Sequence, residues 1–535
     1  TGDRLGADEI DLLADDLLAR PELIELAAVV TSSGEVAVPR DDLQSDVTLR
    51  EQLYSTEAML ALERRVLTAY ERGRIANVGA ISPDVLAGVL AGERFARLSD
   101  EQRAFVGALT GSGMRIQAGV GAAGSGKTTA LEAAVAVWTA AGYSVLGAAV
   151  GGTQAIVLSE ETGVEGRTVA SVIARYFDHG DVSLVDDRTV ILVDEASLIS
   201  TRDFAALAKI AEECGALLRV VGDAAQHSSV NAGGVFRHIT EHHAAEVPAL
   251  THLYRQQGKK MNEVRLANTE YREGIITKAL ERLAADGRIT EAASAADAYD
   301  LLTCAWYAER QRRLADPDRR RSAMTAEHHA ERRALNERAR AMLVADGTLS
   351  GPELRVGDLS FQSGDEVVAR IPDRTLRADG SERDAYVRNG SLGRVIETHE
   401  SSLLVDFERW GRVEIPIAYL EQHSPSGTLG GLQHAYALTT HAAQGETFAA
   451  AVPLVTDASS TEGVYVGITR GQFDLQAVVI RQRDVIGPLT DDELPVLREE
   501  TSSLAATERR LEAGMPERLA SELSTERSDC PRRTK

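Results

Sequence analysis

Apolar and polar positions divide the chain into stretches of different period. In DEIDLLADDLLARPELIELAAVV and STEAMLALERRVLTAY, apolar residues recur at three- and four-residue intervals, so residues 1–95 are expected to form a helical domain. Beyond Leu98 the pattern changes. The runs RIQAGV, SVLGAAV, TVILVDEAS and LLRVVGD alternate with helical segments across 96–245. Apolar runs without polar alternation suit strands buried on both faces, as in a parallel sheet covered by helices, which makes this an α/β unit. Residues 246–351 read as mainly helical. In 352–425, GDEVVARI, GSLGRVIE, SSLLVDFE and GRVEIPI are short β runs punctuated by glycine, and a small inserted β-barrel is expected there. Sheet-like α/β sequence returns over 426–487 at AYALTTHAAQG and VYVGITRG, and 488–535 is expected to be a helical, then disordered, tail. No repeat of fixed period is present.

Composition narrows the partners. The formal net charge of −23 excludes a protein coated in basic surface, so any nucleic acid has to lie in a locally positive channel. Gln311–Arg321, QRRLADPDRRR, reads as a solvated face. The three cysteines, Cys214, Cys304 and Cys530, fit neither a disulfide framework nor a metal site, and a reducing cytoplasmic location is expected. Ala133–Leu158 carries no charge over a length that would span a bilayer, but Gly142 and Gly151-Gly152 break it into helix, strand and loop, so no membrane insertion is expected. The first residues, TGDRLGADEIDLL, carry no basic and apolar leader and read as an internal start within a longer polypeptide.

The chemistry concentrates in a few segments. GAAGSGKT, Gly121–Thr128, matches the phosphate-loop pattern between an apolar run and a helical one. Backbone amides of Gly121, Gly124, Ser125 and Gly126 are suited to cradle phosphates, with Lys127 on the terminal phosphates, Thr128 on Mg²⁺ and Thr129 opening the helix. ILVDEAS places Asp194 and Glu195 at a strand end, where the first acts on the metal and the second activates water. RVVGDAAQ offers Gln226 as a sensor of the γ-phosphate. Arg255 in LTHLYRQQ and Arg470 in VYVGITRG are candidates to stabilise transition-state charge.

LSDEQRAFV, GAAGSGKT, LVDEAS, VVGDAAQ, LYRQ, TTHAAQGETF and YVGITRG follow the order of the superfamily 1 helicase motifs and resemble the RecD-like 1B branch. STEAMLALERRVL and SAMTAEHHAERRALNERAR further resemble the helicase part of conjugative relaxase-helicases of the TraI and TrwC type. The resemblance implies two RecA-like parallel-sheet domains, ATP and Mg²⁺ as cofactors, and 5′→3′ movement on single-stranded DNA with duplex unwinding. It implies that Gln102 reads adenine, that Arg255 and Arg470 are arginine fingers, and that His441, Gln444 and Gly445 couple the nucleotide site to DNA. Other conjugation or repair proteins are the further partners it implies.

Two features depart from the family pattern. Thr447 follows Glu446 where many relatives place glutamate two residues after the glycine, so no ribose contact is assigned to Glu446. The interval DHGDVSLVDDRT is shorter than the segment that carries a strand-separating hairpin in many RecD-like proteins. The family's nicking half is not recognisable either, because the pairs His242-His243 and His328-His329 lack companion ligands at metal spacing and read as surface polar positions. Rival readings are a RecD-like repair helicase, an RNA remodeller, and a binding module of helicase fold that has lost turnover.

Overall fold

The computed structural model describes residues 20, 22–26, 53–313, 321–378, 386–423, 430–480, 502–512 and 518–522. Two parallel sheets organise the chain. In the first, the strand order is Glu165–Thr168, Ser144–Ala149, Thr189–Val193, Leu217–Gly222, Ile116–Gly121, Ala249–Leu250, all parallel. The four strands expected from the apolar runs are all present. The two edge strands were not anticipated, because EGRT is polar and AL spans two residues. The last strand also carries the first sheet past the expected boundary at 245.

Burial on both faces explains the unbroken apolar run TVILV. Ile191 and Val193 join one core with helices Glu57–Arg74 and Thr201–Cys214, while Val190 and Leu192 join another with Lys127–Ala140 and Asp100–Gly111. The stretch Ala133–Leu158 resolves into helix, strand and helix. Among the described residues, no helix is long and apolar enough to cross a membrane.

The second sheet runs Ala437–Thr439, Ala323–Ala326, Phe448–Thr456, Ala477–Ile480, Ile289–Glu291, with Gly471–Leu475 also on Phe448–Thr456, again all parallel. The region read as mainly helical therefore hides two strands of this second sheet, each too short to show a period. VYVGIT, read with the sheet-like sequence, lies in the helix Thr461–Thr469. From Gly463 onward that helix is buried on every side, so it has no polar face to mark a helical repeat.

Between the strands of this second sheet the chain builds an antiparallel unit. Gly411–Pro416, Ser402–Phe407, Leu392–Thr398, Glu366–Ala369 and Leu432–His434 form a five-stranded sheet in that linear order. A ribbon of Ser350–Val356 and Leu359–Ser363 shares its apolar core through Leu354, Val356 and Phe361. The four expected β runs each form a strand. The fifth strand lies beyond the expected boundary at 425.

At the N-terminus, Leu23–Leu26 pairs antiparallel with Leu53–Thr56, where a helix was expected. Pro21 marks where the helical pattern breaks. The expected helix over the first nineteen residues, most of the Arg-rich segment and most of the tail lie outside the described residues. DHGDVSLVDDRT holds one short 3₁₀ turn, Val182–Leu184, and no hairpin strand.

Candidate functional site: a nucleotide cleft between two lobes

The phosphate loop joins the strand Ile116–Gly121 to the helix Lys127–Ala140. Gly124 and Gly126 hold φ of +83° and +74°, which L side chains rarely adopt. A Cβ at Gly124 would stand 2.5 Å from the Arg255 Cβ, and one at Gly126 would stand 2.6 Å from the Gln102 Nε2. Conformation favours glycine at both positions, and at Gly124 the space beside the Arg255 Cβ requires it.

Opposite the loop, the strand Thr189–Val193 ends in Asp194 and Glu195. Glu195 has φ of +52°, a left-handed turn that costs a non-glycine residue about 1–3 kcal/mol and directs its carboxylate back at the loop. Lys127 Nζ lies 2.6 Å from Asp194 Oδ1 and 3.0 Å from Glu195 Oε1. Burial opposes the lysine charge, but the two carboxylates outweigh it and hold its pKa above the ordinary value. Burial likewise raises Asp194, with Glu195 adding to the effect. Glu195 is also buried, yet Lys127 and the Gln444 amide hold it below the usual carboxylate range.

The second lobe completes the cleft. Gln444 Nε2 donates to Glu195 Oε2 at 3.1 Å, and Arg470 donates to Gln226 Oε1 at 3.4 Å. Arg255 donates from its backbone amide to the Gly124 carbonyl at 3.1 Å and from its guanidinium to the Thr469 carbonyl at 3.2 Å. It thus touches the phosphate loop and the Arg470 segment together. Gly121, Gly124, Gly126, Lys127, Thr128, Thr129, Asp194, Glu195, Gln226, Arg255, His441, Gln444, Gly445 and Arg470 all line one cleft of about 1200 Å³. Gln102 stands behind the loop. Its Oε1 accepts from the Ser99 amide at 3.0 Å and its Nε2 donates to the Gly126 carbonyl at 3.3 Å, so a base would have to compete for both.

Several further contacts shape the cleft. Asp223 accepts from the Ala123 amide at 3.0 Å, Tyr465 at 3.2 Å, Gln226 at 3.4 Å and Arg272 at 3.4 Å, fastening the loop to groups from both lobes. Glu161 accepts from Thr128 and is raised by burial and by Asp194. His441 stacks on His227 at 3.7 Å between ring centres. Farther along the cleft stand Arg332, Arg333 and Arg370, with no carboxylate within 4.0 Å among the described residues. Arg332 Nε is buried without a hydrogen-bond partner, and burial beside Arg370 and Arg333 lowers that guanidinium to about 10.

The residues fit a nucleotide and its metal. Ser125 Oγ and Gln444 Oε1 are buried without partners beside Lys127, which suits polar groups placed for a ligand.

A model described as an AAA domain matches residues 97–294. The probable conjugal transfer protein TraA of Sinorhizobium fredii is 32% identical over 385 residues, covering 71% of this chain and 32% of that protein. The conjugal transfer protein TraA of Agrobacterium fabrum is 32% identical over 428 residues, covering 79% of this chain and 36% of that one. Residues 97–294 thus carry a domain of the Pif1- and RecD-like superfamily 1 helicase family. This family consists of ATP-hydrolysing DNA helicases. The chain spans about a third of the length of the curated relatives it matches. Among solved structures, the RecD-like chain is similar to a Bacteroides Pif1 helicase in complex with ADP-AlF3 and ssDNA, at a TM-score of 0.45 and 16% identity, covering 72% of this chain and 92% of that one. The Candida albicans Pif1 helicase gives the same TM-score of 0.45 at 16% identity, covering 72% and 95%. Likeness of that extent adds nothing to the assignment.

Proposed function

We propose that the chain is the motor of a conjugative DNA-transfer protein, an ATP- and Mg²⁺-dependent translocase that moves 5′→3′ on single-stranded DNA and unwinds duplex. The observation that carries the reading is the Gln444–Glu195 hydrogen bond across the cleft at 3.1 Å. It joins the water-activating carboxylate to the segment holding His441 and Gly445, so a shift of that segment changes the base directly.

In this reading Lys127 holds the terminal phosphates, while Glu195 takes the proton of the attacking water. Gln226 orients that water, and Arg255 and Arg470 neutralise the charge that develops on the transferred phosphoryl group. Thr128 and Asp194 would hold Mg²⁺, which supplies charge neutralisation across the phosphates when bound. ATP favours lobe closure because its γ-phosphate meets Arg470 and Arg255 only when the lobes come together, and hydrolysis removes that preference.

Arg332, Arg333 and Arg370 support a polyanion in the far part of the cleft. A buried guanidinium without a carboxylate is costly, and phosphate oxygens relieve it. In a chain of net charge −23 this is the local positive channel that nucleic acid requires. Arg370 lies just past the strand Glu366–Ala369, so the inserted β unit, which we propose acts as a small barrel, contributes to the DNA track. We take the two lobes as RecA-like domains, with the N-terminal helix Glu57–Arg74 packed into the core of the first. Similarity to TraA favours conjugation over repair. Co-location of Lys127, Glu195 and Arg470 favours an active motor over a module without turnover.

Gln444→Ala tests the coupling. Stimulation of ATP turnover by single-stranded DNA should fall by more than basal turnover does, and stimulation equal to wild type would refute it.

A further inference from the structure

Away from the phosphate loop, the first lobe carries a second convergence of chelating side chains. The helix Val235–His242 places His238 and His242 one turn apart on the same face. Glu522 reaches that face from the segment 518–522. One ring nitrogen of each histidine and one oxygen of Glu522 all lie within 4.8 Å of one another, and among the described residues no other group of three such side chains does so. The sequence did not reveal it, because the adjacent pair His242-His243 drew attention from the spacing that matters. His243 turns instead to Glu71 at 3.1 Å.

The position of Glu522 is fixed by the fold. Leu519 is fully buried in the first lobe's core, and the amides of Ala520 and Ser521 donate to the two oxygens of Glu63 at 3.1 and 2.7 Å. Glu522 Oε2 accepts from the Leu519 amide at 3.2 Å, and Oε1 meets His238 Nδ1. His242 Nδ1 pairs with the His238 carbonyl at 3.0 Å. That bond sets the ring tautomer and turns the Nε2 lone pair outward, as an outer-shell hydrogen bond does for a metal-binding imidazole. His242 also ends its helix, where carbonyl dipoles favour a cation.

We propose that His238, His242 and Glu522 bind a late first-row divalent cation of the Zn²⁺ or Ni²⁺ class, which ties the C-terminal segment to the first lobe. Two imidazoles and a carboxylate select such ions over Mg²⁺ or Ca²⁺, and water fills the fourth position. With metal–ligand bonds of about 2.0–2.1 Å, donors of a tetrahedral site stand about 3.3 Å apart. His242 therefore closes in by up to about 1.5 Å. Its ring is exposed and stacks on His238 at 4.1 Å, so rotation about its own side-chain bonds is sufficient. The cation enters between His238 Nδ1 and Glu522 Oε1 and displaces the proton that pair shares.

The test uses the full chain, stripped of metal with a chelator and held in excess Mg²⁺ so that the nucleotide site does not compete. Calorimetric titration with Zn²⁺ should give one equivalent at micromolar affinity or tighter. His242→Ala and Glu522→Gln should each weaken it at least tenfold while leaving ATP affinity unchanged. His242 is exposed, so its variant keeps the fold even where a change at the more enclosed His238 does not. Co²⁺ should give a four-coordinate visible spectrum. No binding, binding unaffected by both substitutions, or a Co²⁺–thiolate band that assigns the ion to a cysteine would each overturn the site. Zn²⁺ should also slow proteolytic release of the C-terminal segment at least tenfold, and equal rates would overturn the tether.

Discussion

Arg470→Ala separates transition-state stabilisation from nucleotide binding. The guanidinium is 1% exposed and donates to the Val466 carbonyl at 3.1 Å, Thr469 Oγ1 at 3.0 Å and Gln226 Oε1 at 3.4 Å. Among the described residues no carboxylate lies within 4.0 Å of it, and burial lowers its pKa. Glu195, Asp223 and Glu446 support its positive charge from a distance, and none pairs with it directly, so the guanidinium is ready for charge that develops during reaction. An arginine in that role is worth about 10³–10⁵ in turnover, or about 4–7 kcal/mol at about 1.4 kcal/mol per decade. ADP lacks the γ-phosphate, so its affinity should change by less than about tenfold. Removing the arginine breaks no direct ion pair, and Glu195 keeps Lys127, so the variant should lose less than the about 3–5 kcal/mol typical of breaking a buried pair. Single-turnover ATP hydrolysis, fluorescent ADP titration and thermal melting on one preparation read the three quantities. Turnover within tenfold of wild type, or ADP affinity falling as far as turnover, would refute the reasoning.

Glu195→Gln should retain ATP, because the loop and Lys127 are untouched, yet lose about 10²–10⁴ in hydrolysis; wild-type turnover would remove Glu195 as the base. Gly124→Ala forces a side chain into a positive-φ position and within 2.5 Å of the Arg255 Cβ, so nucleotide binding should be lost to calorimetry, and retained affinity would show that the loop reshapes freely. Arg370→Gln should weaken single-stranded DNA binding and reduce the slope of log affinity against log salt by about 0.7, while unchanged slope would place the strand elsewhere.

Legibility in the sequence followed the length and periodicity of each element. TVILV and LLRVVG were legible because strands buried on both faces leave an unbroken apolar run. Ile289–Glu291 and Ala323–Ala326 were not, since three or four residues carry no period and their burial depends on neighbours far along the chain. Glu165–Thr168 is an edge strand of polar composition. Leu23–Leu26 read as helix because LIEL satisfies a helical spacing as well as a strand, and its pairing with Leu53–Thr56 is not local.

The nucleotide site was legible at the level of motifs, since Lys127, Asp194 and Glu195 belong to compact local patterns. Its cross-links were not. Asp223 gathers partners as distant as Tyr465, and Arg370 sits near the end of the run GDEVVARI with nothing to mark it as buried or as facing Arg332. Gln102 shows the opposite limit. Its place beside the phosphate loop follows from the motif, whereas its two hydrogen bonds to backbone depend on the helix start at Ser99.

The central claim is directional movement on single-stranded DNA driven by this cleft. Its most direct measurement is streptavidin displacement from either end of a biotinylated oligonucleotide, with ATP turnover followed in the same reaction. The account predicts turnover stimulated by the oligonucleotide and faster displacement from the 3′ end, both lost in Glu195→Gln. Faster displacement from the 5′ end, or turnover indifferent to DNA, would contradict it.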